Sequence, residues 1–180
     1  MGTIRAEIRQ TRRFVSAADE AVVTLLGTAD RVRDGLSQVV EPYGITLQQY
    51  NVLRILRGAS AAGVPTLDIA TRMIERSPGI TRLLDRLEAR LLVRRVRCPE
   101  DRRQVFCYAT ASALRLLGEL EVPVADASRR FLAPLDRPRT AQIIGLLDEI
   151  RAATASSPQQ PSKPTRTRRT GTDSRIRKTA

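Results

Sequence analysis

The sequence predicts a mainly α fold with a small β-hairpin, and long helices flank its central part. Three observations predict it. Apolar residues recur at three- and four-residue steps over most of the chain. Once only, over residues 92–110, that spacing gives way to two short strand-like runs around a charged tip. Hydroxyl, Pro and Gly residues stand where helices must begin or stop.

Taken in order, Ala17–Val40 places Val22, Leu25, Leu26, Ala29, Val32, Leu36 and Val39 on one apolar stripe, and Pro42 and Gly44 end it. Thr46 then opens a second helix, with Gln49 three residues on completing a capping box, and Tyr50, Leu53 and Leu56 form its buried face. Gly58 to Pro65 reads as a loop. Thr66 is expected to cap a short third helix running to Ile74, with Ile69, Ala70, Met73 and Ile74 inward. Ser77-Pro78 is a helix start, a hydroxyl cap followed by Pro at the first helical position. Behind it Ile80, Leu84, Leu87 and Leu91 share one face, while Gly79, Thr81, Arg82, Asp85, Arg86 and Arg90 share the other. Leu92–Cys98 and Gln104–Thr110 form the hairpin around Pro99–Arg103. Helical spacing resumes at Ser112 with Leu114, Leu117, Leu120, Val124 and Phe131, with a kink expected at Pro123. Asp136 caps a last helix bearing Ile143, Ile144, Leu147 and Ile150.

The composition sets limits on chemistry. The 180 residues contain no His, which removes Ser-His-Asp and Cys-His catalysis and every His-containing metal site. Two Cys are too few for a four-cysteine zinc site. No catalytic residue, metal ligand or cofactor site is therefore assigned, and an enzyme has nothing to stand on. The net charge is +12, and 29 of the 31 basic residues are Arg, a balance that favours a polyanionic partner. Residues 156–180 carry seven basic side chains against Asp173, half the net charge, with Ile176 the one large aliphatic. Such a segment reads as a disordered basic tail, since it buries too little to offset its ordering entropy. Residues 1–16 read as a basic extension and residues 17–155 as the folded body. No apolar run has signal-peptide or membrane-spanning length, so a cytoplasmic protein is expected.

The order helix, short helix, basic amphipathic helix, basic hairpin is that of a winged helix-turn-helix. A helix that reads the major groove needs one apolar face for docking and one polar face for base edges, and the segment from Ser77 to Arg90 has both. Between Arg72 and Arg103 stand ten Arg against five acids. Double-stranded DNA is thus the expected partner. Arg76, Ser77, Gly79, Thr81, Arg82 and Arg86 are the expected contacts from the helix and Arg102 and Arg103 those from the hairpin tip. The plainer alternative for Arg82 is a pair with Asp85 on a solvated helix face.

The run from Asp68 to Thr110 resembles the MarR (multiple-antibiotic-resistance regulator) family. The resemblance rests on the leucine-rich D-R-L-E run at Leu83–Glu88, the V-x-R strand at Val93–Arg95, and the D-x-R wing at Asp101–Arg103 behind Pro99. It extends over residues 17–154. The resemblance implies a homodimer built through residues 17–41 and 112–155, acting on a pseudo-palindromic operator as a repressor that answers a small phenolic or other anionic effector, or an oxidant. It also implies that Arg103 enters the minor groove and that Asp101 braces the wing by pairing with an Arg. Two positions depart from the family pattern: Leu91 stands where a Gly closes the recognition helix, and Ser112-Ala113 follows the second wing strand. A Leu held there at positive φ costs about 1 kcal/mol or more.

Cys98 and Cys107 fall on the two hairpin strands, out of register with each other. Their ordinary reading is as small hydrophobes, and a redox switch is the sharper alternative. The rival for the whole protein is an architectural protein that coats DNA through its basic charge without reading sequence.

Overall fold

The computed structural model describes residues 3–59, 62–75, 79–101 and 103–155. The chain divides into two compact units, one running to Pro134 and one starting at Leu135. Arg76, Ser77, Pro78, Arg102 and the basic tail from Ser156 onward lie outside the described residues.

The first unit opens with a single turn, α1 (Ile4–Glu7), followed by α2 (Ala17–Val40). The Ser16 hydroxyl accepts the Asp19 N–H and so starts α2. A 3-10 turn over Glu41–Tyr43 ends at Gly44, whose φ of 74° lies in the left-handed region that suits glycine. α3 (Leu47–Arg57) then begins with the expected capping box. Thr46 Oγ1 accepts the Gln49 N–H at 3.2 Å, and Gln49 Oε1 accepts the Thr46 N–H at 2.9 Å. This is how Gln49 satisfies its polar end while buried.

Val64–Pro65, within the expected loop, forms a two-residue strand, β1, before α4 (Thr66–Arg72). Thr66 does not cap α4. It is the first residue of the helix, and its hydroxyl donates to the Val105 carbonyl at 3.2 Å. α5 (Ile80–Ala89) starts after Gly79, so its first described turn lies three residues beyond the expected Ser77 cap. β2 (Val93–Arg97) and β3 (Val105–Ala109) make the hairpin, and β1 adds to the other side of β3. All pairings are antiparallel, with Arg95 opposite Cys107 and Val64 also opposite Cys107. α6 (Ala111–Leu132) follows, capped by Thr110, and continues through Pro123.

The core of this unit is one cluster of Val40, Leu53, Ile69, Leu84, Leu87, Cys107, Leu117, Leu120 and their neighbours. Three residues expected inside stand outside: Ile74 is 83% exposed, Leu91 75% and Leu114 47%. Ile74 and Leu91 lie beyond the ends of α4 and α5, where helical spacing no longer decides which way a residue points. On α6 the inward line is instead Ala113, Leu117, Leu120 and Ala127.

The end of α5 is closed by Leu91 at φ 58°. The Leu91 N–H donates to the Glu88 carbonyl and the Leu92 N–H to the Leu87 carbonyl. That is a Schellman closure, which ordinarily takes Gly, built here around an exposed Leu.

The second unit is α7 (Arg137–Ala155), started by the Asp136 carboxylate accepting the Arg139 N–H at 2.9 Å. None of its residues is buried, and Ile143, Ile144, Leu146 and Ile150 are all exposed.

Candidate nucleic-acid interface

α5 divides cleanly. Leu83, Leu84 and Leu87 are buried, whereas Thr81, Arg82, Asp85 and Arg86 are exposed. The acids on α5 are turned to internal use. Arg95, on β2, donates through Nε to Glu88 Oε2 at 2.8 Å, and its Nη2 lies 2.7 Å from Asp85 Oδ1. The Arg95 backbone N–H adds a bond to Glu88 Oε1 at 3.2 Å. The hydrogen bonds from Arg95 hold the Glu88 carboxyl below the ordinary carboxylate range, and Glu88 in turn raises the Arg95 guanidinium.

This network explains why D-R-L-E and V-x-R occur together here: Asp85 and Glu88 fix the helix to the first wing strand through Arg95. Because Asp85 is paired with Arg95, the pair of Arg82 with Asp85 is not formed, and Arg82 stands on an exposed helix face. Among the described residues, neither Arg82 nor Arg86 has an ion-pair partner. Two guanidinium groups one turn apart thus stand free beside Thr81. Gly79, at the head of the helix, is open: a Cβ built there meets nothing within 4 Å.

In the wing, Asp101 Oδ1 accepts the Arg103 backbone N–H at 3.0 Å, and the Gln104 N–H donates to the Asp101 carbonyl at 2.9 Å. Among the described residues, Asp101 is bonded to backbone N–H groups of the wing and makes no ion pair with a guanidinium. Arg103 itself is exposed. At the foot of the wing, Arg94 lies over the Tyr108 ring at 4.5 Å, and the Tyr108 hydroxyl donates to the Ala62 carbonyl. Gly63, at φ 76°, leaves the room Tyr108 needs, since a Cβ there would come within 2.6 Å of the ring.

Cys98 pairs with Gln104 through its N–H, while Cys107 faces Arg95, so the strands do not bring the two thiols together. Both are free. Burial pushes the Cys107 thiol up, against which the Thr66 hydroxyl works weakly. Among the described residues, no group of acids and cysteines is arranged to hold a metal ion, and no helix is long and apolar enough to cross a membrane.

Sequence reasoning missed Glu75, bonded to Arg33, and Arg90, bonded to the Gly44 carbonyl, both through contacts more than forty residues away in the chain. No local signal marks either one.

A unit of this kind, with α5 docked on α3 and α4 and a three-stranded sheet with its hairpin wing beside it, defines a winged helix-turn-helix. The family model for "MarR family" matches residues 45–105, from the start of α3 to the second wing strand. A MarR transcription factor from Planctomyces limnophilus is 40% identical, with 76% of this chain and 98% of that one covered at a TM-score of 0.60. The homoprotocatechuate degradative operon repressor of Escherichia coli is 25% identical over 132 residues, 73% of this chain and 88% of the repressor. A MarR-family regulator from Streptomyces coelicolor solved in complex with DNA shares the fold at 22% identity, covering 84% of this chain and 97% of that one, with a TM-score of 0.70. This chain belongs to the MarR family of transcriptional regulators.

Proposed function

We propose that the protein is a cytoplasmic, homodimeric repressor that reads a pseudo-palindromic operator. One observation carries the reading: on α5 both acids of the D-R-L-E run are occupied by Arg95, while Thr81, Arg82 and Arg86 are left exposed and free. Docked in a major groove, these three reach base edges, Arg82 or Arg86 having the fork that fits guanine. Gly79 lets the head of α5 approach the backbone closely, and Arg76 and Ser77 lead into it. Arg103, with Arg102 beside it, enters the minor groove from the wing.

The dimer is supported by apolar surface that its own unit leaves uncovered. Val22 and Leu26 on α2 are 55% and 64% exposed, and α7 buries nothing. Half-site centres then lie about one turn of DNA, roughly 10 bp, apart. A small anionic effector, phenolic or related, finds a suitable place in an open cleft of about 420 Å³ lined by Asn51, Arg54, Ile55, Arg57, Arg72 and Ile74. Among the described residues its lining is basic and carries no acid.

The test is selection of random duplexes on the purified protein at physiological salt, with a version lacking residues 156–180 in parallel. An enriched palindrome that survives loss of the tail is the expected result. No enrichment, or binding lost with the tail, would instead make the protein a DNA-coating architectural factor.

A further inference from the structure

Two residues that flank α5 in the chain, Glu75 before it and Arg90 after it, are bonded to α2, α3 and the turn between them. At the leading end, Glu75 stands in the segment between α4 and α5. Its Oε2 accepts from Gln48 Nε2, on α3, at 3.2 Å, and its Oε1 accepts from Arg33 Nε, on α2. Arg33 also holds Asp30 Oδ1 at 3.0 Å, which orients the guanidinium along α2. At the trailing end, Arg90 donates to the carbonyl of Gly44 and, at 3.5 Å, to that of Tyr43. Tyr43 and Gly44 are the turn that joins α2 to α3.

Partly exposed pairs of this kind add little to stability, so their placement is the informative feature. A ten-residue helix is about 15 Å long, and a 1 Å shift at one end tilts it by roughly 4°. Reading base edges requires hydrogen-bond distances at several positions at once, which such a tilt disturbs. Packing of Leu83, Leu84 and Leu87 holds α5 down, but apolar contact is non-directional and fixes its heading less strictly.

We propose that Glu75 and Arg90 are positioning residues that anchor the two ends of α5 to the α2–α3 corner, so that α2 sets the heading of the reading face. The proposal rests on α5 being the DNA-reading helix. Gln48 and Arg33 hold the Glu75 carboxyl below its ordinary range, so the leading tie is ionised throughout neutral pH. Neither residue touches DNA in this scheme; each acts through the helix it holds.

The experiment is amide hydrogen exchange on the full chain, with R33Q, E75Q, the R33Q/E75Q double variant and R90A, combined with affinity for the selected duplex against a scrambled one. R33Q and E75Q should each speed exchange at Leu83–Leu87 about threefold, and R90A should do so at Leu91 and Leu92, with Leu117–Leu120 of α6 unchanged. Each should lower the selected-to-scrambled affinity ratio about fivefold, and the double variant should go no further than either single one. Wild-type exchange throughout α5 would overturn the proposal. So would acceleration spread evenly over α5 and α6, or a double variant whose effects simply add. If the wild-type protein selects no duplex, the operator reading fails, and the exchange measurements still decide whether the two ties hold the helix.

Discussion

The winged unit and the flanking helices handle their apolar residues in opposite ways. Between Val40 and Leu120, aliphatic side chains from α3, α4, α5, the sheet and α6 close into one buried cluster, with Leu67, Ile74, Leu91, Val96 and Leu114 left outside it. On α2 only Val40, its last residue, is fully buried, and α7 has no buried residue. The same kind of helical stripe is therefore core in one region and open surface in the other. Periodicity reports that a face is apolar; it does not report whether the same chain supplies what covers it.

That contrast is most sharply broken from the core side. Leu84→Ala should cost about 2–5 kcal/mol in denaturant unfolding, because its side chain is fully buried between α5 and the rest of the cluster. The companion change in the flank, Leu26→Glu, should leave unfolding of the winged unit within about 0.5 kcal/mol, as befits an exposed position. By the proposed dimer it should instead halve the mass in sedimentation. A core-sized stability loss with unchanged mass would place Leu26 in a monomer core.

Next in size are two arginines that the helix and wing use differently. Arg95→Ala removes bonds to Asp85 and Glu88 and should lower stability by about 1–3 kcal/mol, read as a fall in Tm. Arg82→Ala should leave Tm nearly unchanged and cost about 1–3 kcal/mol at the selected duplex, with relaxed preference at one position. Equal loss on every duplex would show that Arg82 meets phosphate only.

A smaller effect of opposite sign is expected at the end of α5. Leu91→Gly should stabilise by about 1 kcal/mol, since the residue sits at φ 58° with its side chain 75% exposed, so relief of strain is not offset by lost burial. Thermal unfolding would register it as a rise of about 2–4 °C.

The smallest expected effect is acid sensitivity. Glu88 is held below the ordinary carboxylate range in the folded protein, chiefly by its hydrogen bonds from Arg95. Its contribution is complete above the unfolded value of about 4.3 and is lost as pH falls through the folded one. The wild-type Tm should therefore fall more steeply than that of Glu88→Gln below about pH 4. Parallel curves would show that the pair adds nothing in solution.

Much of the fold was legible because its signals are local. The Thr46–Gln49 box, the Asp136 cap, Gly44 and the charged tip at Asp101 each act over three or four residues, and each stands where expected. The ends of elements were less legible. Thr66 looks like a cap, yet its hydroxyl is drawn to the Val105 carbonyl, because β3 lies within reach. β1 is too short to show any alternation, and exists because β3 offers it an edge.

By itself, the sequence determined the order of helices and hairpin, the apolar face of α5 and the basic character of its other face. Tertiary structure alone decided which charges remain available. Asp85 and Glu88 are committed only because β2 brings Arg95 against α5, and Glu75 and Arg90 hold that helix only because the α2–α3 corner folds back to meet them. The physical reason is range. Caps and periodicity depend on neighbours a turn away, whereas an ion pair between residues forty positions apart exists only once packing has brought them together.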